Sequence, residues 1–271
     1  MKQYLELLEE VLEEGDEGPD RTGVGTKSLF GKQMKFDMED GFPAVTTKEL
    51  KFKKVKAELL WFLEGTRDIK SLQEKGCHIW DANVENWEDR EFETDAGRIY
   101  GVQWRHWKTS NGKEVDQIKK AINKINSDDW HSRQNIVVAF NPGELDQMAL
   151  PPCHYSFQLR VSNGSLDLLM TQRSADMFLG VPFNIASYSL LLHMIAQITG
   201  YRPGTFVHSL GDTHIYLNHI EQVEEQLDRP PYPRPELKLN PAIKDIDNFT
   251  MDDIELKNYK HHPHIKAPMA V

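Results

Sequence analysis

Cysteine is scarce in this 271-residue chain, which carries two, Cys77 and Cys153. Two thiols build neither a disulfide framework nor a four-cysteine zinc site, so each is read as a free thiol. A reducing cytoplasm is the expected location. Long apolar runs are missing too, and none reads as long enough to span a bilayer. The start, Met1-Lys2-Gln3-Tyr4, lacks the basic segment and apolar stretch of a signal peptide, so none is expected. Positive charge is in deficit: 32 Lys and Arg stand against 42 Asp and Glu, a net charge of −10. That balance argues against a general nucleic-acid or membrane-surface binder, which needs basic patches. It leaves room for a pocket with a few arginines for one small anion. Several generic motifs are absent as well: there is no G-x-x-x-x-G-K-[ST] phosphate loop and no H-E-x-x-H, and Gly23-Val24-Gly25 has no third glycine of a dinucleotide fingerprint.

What is present reads as a globular chain with one domain over 1–271. Tyr4, Leu5, Leu7, Leu8, Val11 and Leu12 fall at helical spacing, and Gly15 can end that helix. A polar loop over 20–26 precedes a strand over 28–36. Residues 55–63 form a strongly apolar helix with one carboxylate, Glu58, closed by Gly65. The acidic stretch 81–97 reads as an irregular surface insertion. A helix is expected over 115–125 and a short buried strand over 136–140. Strands over 155–161 and 166–171 flank Asn163-Gly164, a hairpin turn signal. A long apolar helix over 185–199 ends at Gly200. A strand over 205–210, a helix over 215–227 and short strands near Leu237 and Ile254 complete the chain. Strands and helices do not alternate regularly, so the class is α+β, with one sheet covered by helices mostly on one side.

Several residues are suited to chemistry. Cys153 lies in Leu150-Pro151-Pro152-Cys153-His154, at the start of a strand. A thiolate is a strong nucleophile and nearby cations favour it; the alternative is a small buried residue at a strand start. Cys77, before Ile79-Trp80, reads as structural. Arg173 in Gln172-Arg173-Ser174-Ala175-Asp176 offers a guanidinium fork suited to phosphate; the alternative is a surface turn with an ion pair. Asn184, in 183–188, either caps a helix or faces a pocket, where its amide matches the O4 and N3–H of uracil. His214 and Tyr216, in 212–216, add two hydrogen-bonding rings. Glu58 stands alone among apolar residues, and burial would raise its pKa into the range of a general acid or base. His261-His262-Pro263-His264 resembles a metal motif, but a solvated tail is the preferred reading.

Taken together these motifs resemble the thymidylate synthase family from Met1 to Val271. The resemblance rests on 20–23 (DRTG), 42–48 (FPAVTTK), 58–62 (ELLWF), 79–81 (IWD), 100–105 (YGVQWR), 152–154 (PCH), 172–174 (QRS), 183–188, 211–216 (GDTHIY) and 265–271 (IKAPMAV). It implies one mixed sheet covered by helices, its other face packed in a homodimer. It implies reductive methylation of deoxyuridylate by 5,10-methylenetetrahydrofolate, a co-substrate, without a metal and without a membrane or nucleic-acid partner. Cys153 would attack C6 of the uracil, Glu58 would relay protons, and Tyr100 and His154 would support loss of the C5 proton. Trp80 and the C-terminal tail would close the site. Arg21, Gln172, Arg173 and Ser174 would hold the nucleotide, with Arg133 given by the partner subunit. Asn184 would read the base, and His214 and Tyr216 the ribose. Asp176 would touch nucleotide and pterin, with Lys51, Ile79, Leu179, Gly180, Phe183 and Ala270 around the folate.

The chain departs from the family pattern at four places. Gln134 replaces the second of two arginines after Ser132, which removes one phosphate contact. Arg98 stands before the catalytic tyrosine where a proline is usual, and is expected to return charge near the site. Thr171 stands for a tyrosine and Lys51 for a histidine. A competing reading is a deoxyuridylate hydroxymethylase, which adds water where a synthase adds hydride. Another is a catalytically silent nucleotide- or RNA-binding protein, which the intact Cys153 and Glu58 and the acidic charge disfavour.

Overall fold

The computed structural model describes residues 1–268. In chain order its elements are α1 (Lys2–Glu14), β1 (Asp16–Gly18), β2 (Thr26–Asp37), α2 (Phe52–Glu64), α3 (Lys70–Glu74), α4 (Asp81–Glu85) and α5 (Tyr100–Arg105). There follow β3 (Trp107–Lys108), β4 (Glu114–Val115), α6 (Gln117–Ile125), β5 (Ile136–Val138), β6 (His154–Ser162) and β7 (Ser165–Asp176). The last are α7 (Gly180–Thr199), β8 (Arg202–Tyr216), α8 (Ile220–Leu227), β9 (Glu236–Leu239) and β10 (Ile254–Lys257). The expected α+β class with one mixed sheet is borne out.

Six strands form that sheet in the order β1-β2-β8-β7-β6-β5. Only β7 and β8 run parallel. A parallel pair needs a long crossover, and α7 supplies it. The hairpin between β6 and β7 turns on Asn163 and Gly164, both at positive φ, as the two-residue turn signal demands. On the core side lie Phe157, Leu159, Leu166, Leu168, Met170 and Phe206, all buried. Contrary to the expectation that no apolar run is long enough to span a bilayer, α7, which carries no Asp, Glu, Lys or Arg, has the length and composition to do so; here it is the buried core helix against β7 and β8.

Three expectations are corrected. The helix over 215–227 begins only at Ile220, because β8 runs on through Tyr216, with Thr213, His214 and Ile215 paired to Leu29, Ser28 and Lys27 of β2. A strand bonded on both sides overrides the helix-like spacing of its apolar residues. The helix over 115–125 starts at Gln117, where the Asp116 carboxylate accepts from the Lys119 N–H and caps it. The segment 81–97 is less irregular than its acidity suggests. It opens with α4, buries Val84, Asp95 and Ala96, and is tied down by Arg67, which donates to Asp95 through Nε and Nη2.

Two local features aim the site. Gly101 lets α5 press on α2, since a Cβ there would lie 2.3 Å from the Phe62 carbonyl oxygen. This contact stacks the Tyr100 ring on Phe62. In β6 a bulge falls between His154 and Ser156. Alternation from Phe157 would send residue 155 inward, and the extra residue brings His154 inward instead.

Candidate active site

The site is a cleft of about 570 Å³ between α2, the β7–α7 junction, the end of β8 and the C-terminal segment. Its walls include Glu58, Ile79, His154, Asp176, Leu179, Gly180, Phe183, Asn184 and Tyr216, with Lys51 at the rim. The cleft wall therefore holds half of the residues that sequence reading selected; Cys153, Arg21, Arg173, Ser174 and His214 are not among its lining residues.

Cys153 sits where the Pro-Pro turn enters β6, and its surroundings fix it from three sides. Its N–H donates to the Tyr100 phenol oxygen at 2.8 Å. Its carbonyl accepts from the Arg173 N–H at 2.8 Å. The Arg173 side chain donates to the carbonyls of Pro152 and Pro151, at 3.0 and 2.9 Å, and its Nη2 lies 3.8 Å from the Cys153 sulfur. Burial pushes the thiol up, and Arg173 pulls it back. Arg173 is thus a clamp on the Pro151-Pro152-Cys153 segment as well as an exposed cation. Cys77 is fully buried and its thiol is also pushed up by burial, in keeping with a structural role.

Glu58 projects from α2 into the cleft, and the Trp80 indole N–H donates to its Oε1 at 2.8 Å. Burial raises its pKa to about 7, against the opposing effect of that hydrogen bond. Trp80 is a fixed wall: it is buried and packs against Trp61, Phe62 and Tyr100. His154 stacks on Tyr100 with ring centroids 4.2 Å apart, and its Nδ1 is hydrogen-bonded to the Tyr188 hydroxyl. Burial lowers His154 to about 3 and raises Tyr100 well above its ordinary range, so both are neutral at physiological pH.

At the Asn184 end, the Gln172 amide N–H₂ donates to the Ser174 carbonyl and to Asn184 Oδ1, at 2.8 and 3.0 Å. Asp176 accepts from the N–H groups of Phe178 and Leu179 at the start of the α7 region. His214 Nδ1 is 2.7 Å from Asp212 Oδ1, and its ring packs edge-on to Tyr216. Arg21 lies in a loop held by Asp20, which accepts from the N–H groups of Thr22 and Gly25. The Leu217 N–H donates to the Gly25 carbonyl at 3.0 Å, which ties that loop to the end of β8.

Arg133 is not in the cleft of its own chain. It borders a separate cavity on the open face of the sheet, with Gln158, Arg160, Leu169 and Val207. The expectation for Arg98 is corrected: its guanidinium donates to Glu144 and to the His106 carbonyl, both at 2.8 Å, in a buried ion pair beneath α5. It brings no charge to the cleft. Gln134 accepts from Lys124 at the surface. Ala270 and Val271, expected in the lid, lie outside the described residues; Ala267 reaches the cleft, and the Pro268 carbonyl accepts from His219. His261 and His262 are spent on backbone carbonyls and on stacking with Tyr259 and Tyr232.

Sequence reading missed Lys48. It is buried in the cleft, donates to the Phe178 carbonyl and lies over the Phe178 ring, and burial brings it down to about 7. Lys48 follows Thr46-Thr47 and precedes Glu49, a polar run that gave no signal of its burial. His264, at the cleft mouth, was also missed.

The α+β fold, with Cys153 directly before the cleft-lining His154 and a buried carboxyl in the cleft, fits an enzyme site. The sequence model of the thymidylate synthase family matches residues 2–271, and the chain belongs to that family.

Proposed function

We propose that this chain converts deoxyuridylate to thymidylate, with 5,10-methylenetetrahydrofolate supplying one carbon and a hydride. The observation that carries the proposal is Cys153, held by Tyr100 and Arg173 directly before His154, which lines a cleft together with Glu58 and Asn184.

Cys153 bonds its sulfur to C6 of the uracil, and the C5–C6 electron pair moves toward C5 and O4. Glu58, with a pKa about 7, exists in both protonation states near neutrality and can pass a proton to O4 and take it back. Neither Tyr100 nor His154 is charged, so they act as hydrogen-bonding groups that order water for removal of the C5 proton. When the C5–C6 double bond re-forms, the Cys153 sulfur leaves. Asn184 donates to O4 and accepts from N3–H. Arg21, Arg173 and Ser174 hold the phosphate, and His214 and Tyr216 the ribose. The apolar wall of Ile79, Leu179 and Phe183, with Asp176 beside it, fits a flat heteroaromatic ring with polar edges, as the pterin of the folate requires.

The active unit is a homodimer joined through the open sheet face. Leu169 is exposed there, and Arg133 stands beside it, away from its own cleft. A two-fold contact places Arg133 at the partner's phosphate.

Incubation with deoxyuridylate and methylenetetrahydrofolate tests the reading. The nucleotide product should carry a methyl group by mass. A hydroxymethyl product would make the chain a hydroxymethylase, and no conversion would refute the proposal.

A further inference from the structure

His208, buried in β8, is assigned to no step above. Its Nε2 lies 2.8 Å from Gln172 Oε1. We propose that His208 is a positioning residue for base choice: through Gln172 it fixes the orientation of the Asn184 amide, and with it the preference for uracil over cytosine.

The argument is one of donor and acceptor parity. A backbone carbonyl can only accept, so the Ser174 carbonyl forces the Gln172 amide nitrogen to its side. That nitrogen also donates to Asn184 Oδ1. Gln172 Oε1 is then left facing His208, and only a proton on Nε2 satisfies it. His208 Nδ1 is consistent with this tautomer: it is buried and has no hydrogen-bond partner among the described residues, so no acceptor there calls for a proton on it. Burial, helped by the neighbouring His154, lowers His208 to about 3, which keeps the ring neutral.

The chain His208–Gln172–Asn184 therefore has one low-energy polarity. Asn184 Oδ1 stays turned to Gln172 with a second lone pair free, and Nδ2 is left to donate. Uracil, with O4 and N3–H, meets that pair correctly. Cytosine presents an amino group and a bare N3, so it needs the amide turned over, which sets donor against donor at Gln172. Without His208, Gln172 loses its partner at Oε1 and the barrier to turning both amides falls.

This inference rests on the proposed base reading, and the experiment separates the two. The ratio of kcat/KM for deoxyuridylate to that for deoxycytidylate is measured in wild type, His208→Phe and His208→Gln. The phenylalanine fills the space without a donor, and the glutamine restores an N–H near Nε2. The ratio should fall about tenfold or more in His208→Phe, as expected for one lost buried hydrogen bond, and recover in His208→Gln. His208→Met repeats the measurement if the phenylalanine variant does not fold. An unchanged ratio in folded His208→Phe or His208→Met overturns the role of His208 alone. A wild type with no preference for deoxyuridylate overturns it together with the Asn184 assignment. Independently, ¹⁵N-imidazole spectra should show a neutral Nε2–H tautomer from pH 5 to 8; an Nδ1–H tautomer overturns the parity argument.

Discussion

Replacing Glu58 by glutamine separates the cost of its burial from its use. The carboxyl is displaced from an ordinary 4.5 to about 7 because it is buried in the cleft. Such a displacement means that ionising Glu58 in the folded protein costs about 3 kcal/mol more than in the unfolded chain. The folded state binds this proton more tightly than the unfolded state. The group's contribution is therefore most favourable below the unfolded pKa, and it is lost as pH rises through about 7. Glutamine keeps the acceptor for the Trp80 N–H and never ionises. Glu58→Gln should be more stable than wild type at pH 8.5, with an advantage about 2–3 kcal/mol larger than at pH 5. For a chain of this size that is several degrees in Tm. Turnover should meanwhile fall by about 10²–10⁴, the usual worth of a general acid or base. Thermal melts at both pH values, at one protein concentration, read the first effect, and steady-state kinetics the second. A Tm difference that does not change with pH would refute the claim that Glu58 is a desolvated, proton-sharing carboxyl.

Other consequences follow from single contacts. Glu144→Ala leaves Arg98 buried and unpaired, which should cost about 3–5 kcal/mol and lower Tm accordingly. Asn184→Asp should erode the preference for deoxyuridylate over deoxycytidylate in kcat/KM, because a carboxylate accepts from the cytosine amino group; an unchanged ratio would mean that another residue reads the base. Arg133→Ala should raise the nucleotide KM. Mixed with an inactive Cys153→Ala chain it should regain activity in hybrid dimers, and absence of complementation would place both residues in one subunit's site.

The helices α1, α2 and α7 and the β6–β7 hairpin were legible because each has a local cause: an apolar spacing, a closing glycine, or an Asn-Gly turn. The end of β8 was not. Asp212, Thr213 and His214 are polar and lack a strand-like apolar pattern, and their strand character comes from pairing with β2 and β7, which are distant in sequence. The site itself was legible as a set of unusual residues in apolar or proline-bound settings, such as Glu58 and Cys153. Their partners were not legible. That Arg98 would pair with Glu144, Trp80 with Glu58 or His208 with Gln172 depends on packing across 46, 22 and 36 positions. Lys48 and His264 escaped for the same reason: nothing in their own segments marks them as facing the cleft.

The central claim is that Cys153 adds to C6 of the nucleotide. A 5-fluoro analogue of deoxyuridylate tests it directly, since fluorine at C5 cannot leave as a cation and the addition product is trapped. Wild-type protein incubated with the analogue and methylenetetrahydrofolate should gain the combined mass, and peptide mapping should locate it on Cys153. Cys153→Ala should remain folded and gain none. A modification on Cys77, or no adduct in wild type, would contradict the account.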